Sequence, residues 1–182
     1  MSATIEALDQ LRYPVGKFNN PISFSPLEIK QWMDILEQFP SKLRKEVDAL
    51  NDEQLDTPYR DGGWTIRQVV HHLADSHMNC IFRMKLCLTE ENPTIKPYLE
   101  DKWAELTDGK TGPVAMSLKI LEGVHHRMNI LLRNVSIDEL EKTFYHPENK
   151  TTRPLKTIIA LYAWHSRHHL AHITELKKRK GW

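Results

Sequence analysis

The stretch PLKTIIALYAWHSRHHLAHITELKKRKG, residues 154–181, places Leu155, Ile158, Ile159, Tyr162, Ile173 and Leu176 at helical spacing. Apolar side chains recurring three and four residues apart line one face of a helix, and that face needs another surface to cover it. Pro154 suits the opening of such a helix, where its missing N–H has no partner to lose, and Gly181 suits the left-handed position that closes one. The reading is one long amphipathic helix running to Lys180. The basic run Lys177 to Lys180 falls in its last turn, where cations offset the negative end of the helix dipole by roughly 0.3–1 kcal/mol each.

Three similar segments precede it. Ser25 and Pro26 open the first, which carries Leu27, Trp32, Ile35, Leu36, Phe39, Leu43 and Val47, with a kink expected at Pro40. Thr65 and Gln68 form a T-x-x-Q capping box that opens the second, expected to run to about Thr89. Pro113 opens the third, which continues to about Asn134. Between the second and third lies a long connection from Glu91 to Gly112, with a short helix expected around Asp101 to Leu106. Structureless connections of that length are more often functional than idle. A turn is expected at Ser136 to Leu140 and a polar stretch at His146 to Thr152, and nothing reads as a parallel strand. Four amphipathic helices are satisfied most economically by an all-α four-helix bundle, a single domain over 1–182.

Composition narrows the function. Lys and Arg number 25 against 24 Asp and Glu, so there is no bulk charge to draw in nucleic acid or an anionic membrane. No segment has the run of about 18 apolar residues needed to cross a bilayer, and the N-terminal MSATIEALDQLRYPVGKF lacks a signal-peptide core, so the expectation is a cytoplasmic protein. Cys80 and Cys87 lie seven apart on one helix, about 10 Å along its axis, too far for a disulfide; both read as buried thiols. There is no Gly-rich phosphate loop, no GxSxG elbow and no paired CxxC set.

The histidines carry the chemistry. Within Trp164-His165-Ser166-Arg167-His168-His169-Leu170-Ala171-His172 there are two i,i+4 pairs, and residues four apart stack on one helical face at about 5–6 Å. At about 100° per residue His169 falls inside the apolar stripe and His165 at its edge, whereas His168 lies well outside and His172 is marginal. His165 and His169 therefore point inward. Buried imidazoles are costly unless their nitrogens find partners, and a metal ion serves both. A third ligand must come from the second helix. His77 lies in its apolar stripe, while His72 lies on a polar stripe with Gln68, Asp75, Ser76, Asn79 and Arg83; spacing leaves the two even.

The sequence resembles the DinB/YfiT-like superfamily, and most of all its YfiT group, described as metal-dependent hydrolases. The likeness spans nearly the whole chain. It rests on Leu11-Arg12-Tyr13-Pro14-Val15-Gly16, on Gly63-Trp64-Thr65 through His71-His72-Leu73-Ala74-Asp75-Ser76-His77, on Phe144-Tyr145-His146-Pro147, and on Trp164-His165 through His169 to Leu176. The resemblance implies an up-down four-helix bundle with one ligand from an H-L-x-D-type motif and two from H-x-x-x-H, which fall on His72, His165 and His169. It selects His72 over His77. It also implies a metal site between the second and last helices and the possibility of a homodimer.

Three imidazoles leave a tetrahedral ion one open position, the arrangement of catalytic rather than structural zinc. Zinc is expected, although nickel or another first-row ion suits the same donors. Water in that position becomes acidic enough to supply hydroxide near neutrality, which makes hydrolysis of a small-molecule substrate the leading expectation. Unlike HExxH enzymes, the motif holds no glutamate, so Asp75 is the candidate for a base or an imidazole-orienting acceptor. Two other classes fit the same ligands. One, which the resemblance also implies, is a bacillithiol-transferase-like enzyme that activates a low-molecular-weight thiol; the other is a non-catalytic metal-binding stress protein. Arg83 is expected to pair with a glutamate, Trp164 to pack between helices, and Tyr145 and His146 either to border the pocket or to pack.

Overall fold

The computed structural model describes residues 8–21 and 24–182. Four long helices dominate: α1 (Pro26–Val47), α2 (Ile66–Thr89), α3 (Val114–Arg133) and α4 (Leu155–Lys180). Their ends follow from local chemistry. At Ser25 the hydroxyl accepts from the Glu28 N–H and the Glu28 carboxylate accepts from the Ser25 N–H. Thr65 and Gln68 do the same for α2, at 3.1 and 3.0 Å. Gly181 ends α4 at φ 72°, a left-handed conformation that costs glycine little.

Each helix has two neighbours, in the circuit α1, α3, α2, α4, so that α1 faces α2 across one diagonal and α3 faces α4 across the other. Long-range contacts give the directions. His71 bonds Ser117 near the starts of α2 and α3, and His77 bonds His125 further along both, so these helices run parallel. Lys156 sits over Phe24 at one end of the α1–α4 pair and Lys177 bonds Glu46 at the other, so these are parallel too. α1 opposes α3 through Arg44–Glu122 and Arg133–Glu37, and α2 opposes α4 through His72–His165 and Ser76–Tyr162. The bundle is therefore the one expected, but its strands of helix run up, down, down, up. The physical reason is the connection at 90–113, which has as many residues as α2. Extended chain spans about 3.3 Å per residue against 1.5 Å in a helix, so it can return along the whole of α2 before α3 begins.

Two short helices, Glu100–Ala104 and Thr107–Thr111, stand where one was expected. The polar stretch before α4 contains a small antiparallel hairpin, Thr143–His146 with Thr151–Pro154, that the all-helical reading missed. Strands of four residues are too short for alternation to show. Tyr145 ties this hairpin to the long connection: its N–H donates to the Pro93 carbonyl and its carbonyl accepts from the Ile95 N–H.

Two apolar clusters fill the interior, one around Leu36, Met84, Met128 and Ile159, the other around Phe39, Leu43, Val70, Leu121 and Ile173. Buried histidines lie between them: His77 stacks on Phe39 of the second cluster and meets Tyr162 of the first edge-on. Cys80 and Cys87 are buried and free, as their spacing requires. Among the described residues no helix is long and apolar enough to cross a membrane.

Candidate metal centre

Antiparallel packing of α2 and α4 brings His72 opposite two successive turns of α4. His72 Nε2 lies 3.1 Å from His165 Nε2, and one ring nitrogen from each of His72, His165 and His169 falls within 4.8 Å of the others. Zinc–nitrogen bonds of about 2.0–2.1 Å in a tetrahedron put ligand nitrogens about 3.3 Å apart, so the closest pair is already near that spacing. The Trp64 indole packs on His72 with ring centres 4.6 Å apart and lies nearly parallel to His169. All three imidazoles open into a cavity of about 320 Å³ walled by Arg12, Tyr59, Arg60 and Glu100.

Burial makes these histidines bases that stay neutral. It lowers His72 to about 3, with the neighbouring His168 adding to the effect, and lowers His165 and His169 well below the ordinary histidine value, helped by the other imidazoles. Neutral imidazole keeps the lone pair that a metal needs. Three such donors around one point, with no thiolate or carboxylate among them, fit a borderline divalent ion such as zinc.

The remaining candidates are distributed differently from expectation. His168 and His172, read as outward and marginal, are 7% and 3% exposed. Trp164 stacks on His168 within α4, while from far away in sequence Tyr13 packs on His168, Tyr59 stacks on His172 at 3.9 Å and the Arg12 carbonyl bonds His172, so a second face of α4 is buried. Trp164 thus holds the N-terminal segment, its indole N–H donating to the Gly16 carbonyl, instead of packing between helices. A second group of nitrogens, from His168, His169 and His172, is also compact and shares His169 with the first. His77 turns away from that shared point towards His125.

Asp75 is half-buried, and its carboxyl is raised to about 6 by burial and by Asp108; it does not line the cavity. Glu100 and Asp101 do, and burial with the charges of Asp101 and Glu148 raises Glu100. Neither was singled out in the sequence, although the long connection that bears them was. Among the described residues Arg83 pairs with no glutamate; it donates to the Lys96 carbonyl and the Tyr162 hydroxyl. Tyr145 and His146 belong to the hairpin and do not wall this cavity.

Fold and site together define a class: four-helix bundles that gather three imidazoles from two antiparallel helices at the floor of a pocket. The profile of the DinB superfamily matches residues 35–173, and the chain belongs to that superfamily. It is 51% identical over 172 residues to YfiT of Bacillus subtilis (strain 168), covering 94% of this chain and 97% of that protein. A relative from Bacillus cereus (strain 03BB102) is 53% identical over 175 residues, covering 96% of this chain and 100% of its own. The names of both place them, provisionally, among metal-dependent hydrolases. The solved structure of B. subtilis YfiT, described as a four-helix bundle of unusual topology, superposes with a TM-score of 0.93 at 50% identity, covering 95% of this chain and 99% of that one.

Proposed function

We propose that the protein is a metal-dependent hydrolase of a small-molecule substrate, with one divalent ion, zinc before nickel or another first-row metal, held by His72, His165 and His169. The observation that carries this reading is the meeting of three neutral imidazoles at the floor of one cavity. A divalent ion held by three imidazoles retains an open position and supplies Lewis acidity to a water or thiol placed there. Arg12 and Arg60 on the wall favour a substrate with an anionic group, and Trp64 shields the imidazoles from bulk water.

Two carboxyls compete for the role of proton acceptor. Asp75, at about 6, is tuned for transfer near neutrality, and Glu100 has the access. General-base loss costs about 10²–10⁴ in rate, so Asp75→Asn and Glu100→Gln separate them by which variant suffers that drop in kcat. The thiol-transferase reading has its own support: among the described residues no carboxylate hydrogen-bonds any of the three imidazoles. A panel of activated esters and amides, run on the metal-loaded protein with and without small thiols and with His165→Ala as the blank, tests the whole proposal. Turnover without thiol supports hydrolysis; turnover only with thiol replaces it by S-transfer. Rates equal to the blank leave a non-catalytic metal-binding protein.

A further inference from the structure

Pro40 sits inside α1 without an N–H, so the carbonyl of Leu36, four residues earlier, has no helical donor. His125 fills the gap: its Nδ1 lies 2.6 Å from that carbonyl oxygen. A carbonyl can only accept, so the proton is on His125 Nδ1, and the neutral ring must accept at Nε2. That Nε2 lies 2.7 Å from His77 Nδ1, which is therefore the donor, and His77 in turn must accept at its own Nε2. His77 Nε2 lies 3.4 Å from His165 Nδ1. Each assignment forces the next. His165 carries its proton on Nδ1, and its Nε2, the atom that faces His72, presents a lone pair.

A second chain does the same for His169. The Arg12 carbonyl, 3.1 Å from His172 Nε2, places the His172 proton there, so His172 Nδ1 must accept. It lies 3.3 Å from His169 Nδ1, which donates and leaves His169 Nε2 bare. Had either chain ended on a hydroxyl, which both donates and accepts, its direction would be open; ending on a carbonyl, it has one direction.

We infer that His125 and His77, and separately His172, are positioning residues: two relays anchored on the Leu36 and Arg12 carbonyls lock both α4 imidazoles in the Nδ1–H tautomer, with Nε2 turned to the cavity. The inference rests on the ligand set proposed above and explains why so many buried histidines surround three. It also separates the two compact groups of nitrogens. With its Nε2 proton given to Arg12 and its Nδ1 lone pair taken by His169, His172 has nothing left for an ion shared with His168. His72 lies outside the relays and is held by the face of Trp64.

The test has a metal-free arm and a metal arm. Nitrogen-detected NMR of histidine-labelled, metal-free protein should show His165, His169, His77 and His125 protonated at Nδ1 and His172 at Nε2; His165 or His169 protonated at Nε2 overturns the relays. In competition with a chromophoric chelator for zinc, His77→Phe, which keeps a ring against Phe39 but cannot accept from His165, should weaken binding about 10–100-fold. His77→Gln, whose amide can still accept, should stay within a few-fold of the parent chain. Equal affinities for the parent and the Phe variant sink the inference. If the parent chain binds no zinc, the metal reading fails, and the metal-free spectra still decide the relays.

Discussion

Around Leu36, Met84 and Met128 apolar side chains pack the interior of the bundle, while two turns of α2 before Met84, at His77, the same interior is filled with imidazoles. Both regions exclude water almost completely. They differ in what burial demands. An apolar side chain needs only contact, and its contribution, about 25 cal/mol per Å² removed from water, does not depend on direction. A buried imidazole needs a donor on one side and an acceptor on the other, so each ring constrains its neighbour until the chain reaches a backbone carbonyl. The first region supplies stability that tolerates repacking; the second supplies orientation and charge state.

Substitution should separate the two regions. The largest effect belongs to the imidazoles: His72→Ala, His165→Ala and His169→Ala should each take the purified protein from about one divalent ion per chain to none by elemental analysis. His168→Ala, which removes a ring stacked on Trp164, should keep the ion. Helical circular dichroism should persist in all four and in the chelated parent chain, because the apolar clusters do not need the metal. Loss of helix on chelation would mean that the two regions are not separate.

Acid should unfold the metal-free protein through the same layer. His72 at about 3, His125 and His168 at about 4 and His172 at about 3 all lie below the ordinary histidine value of 6.5, chiefly from burial. Below pH ~6.5 the unfolded chain binds protons that the folded chain refuses, so stability present above that pH is lost as pH falls, by about 1.4 kcal/mol per unit for each such group. Unfolding followed by circular dichroism should be steep between about pH 6 and 4, and bound zinc should move it to lower pH. A flat profile there would place the histidines in water.

In the apolar region the effects should be graded. Met84→Ala should cost about 2–5 kcal/mol in denaturant unfolding while leaving metal stoichiometry unchanged, because Met84 belongs to the apolar cluster and lies about two turns of α2 beyond His77. Smaller still is Thr65→Ala, which removes one half of the capping box at the start of α2 and should cost about 1 kcal/mol. A loss of metal in Met84→Ala would show that packing and orientation are coupled.

What could be read along the chain was local. Ser25, Thr65 and Gly181 mark helix ends through contacts within four residues, and the stripe of α4 turns His165 and His169 inward through its own periodicity. The direction of α3 was not legible, since it depends on where a long connection chooses to land. Nor was the hairpin, whose partners are too short to show a period, or the burial of His168 and His172, to which Arg12, Tyr13 and Tyr59 contribute from far along the chain.

His72 and His77 show the boundary between the two kinds of information most clearly. Spacing on α2 left them equal, and resemblance to a family favoured His72. Tertiary structure separates them by their surroundings: His72 Nε2 reaches His165 at 3.1 Å on the cavity side, while His77 is enclosed between Phe39, His125 and Tyr162. A helix determines from its own sequence which side chains share a face, because that follows from 3.6 residues per turn. Which face meets a second imidazole, and which meets a carbonyl freed by Pro40, is decided only when α1, α3 and α4 close around it.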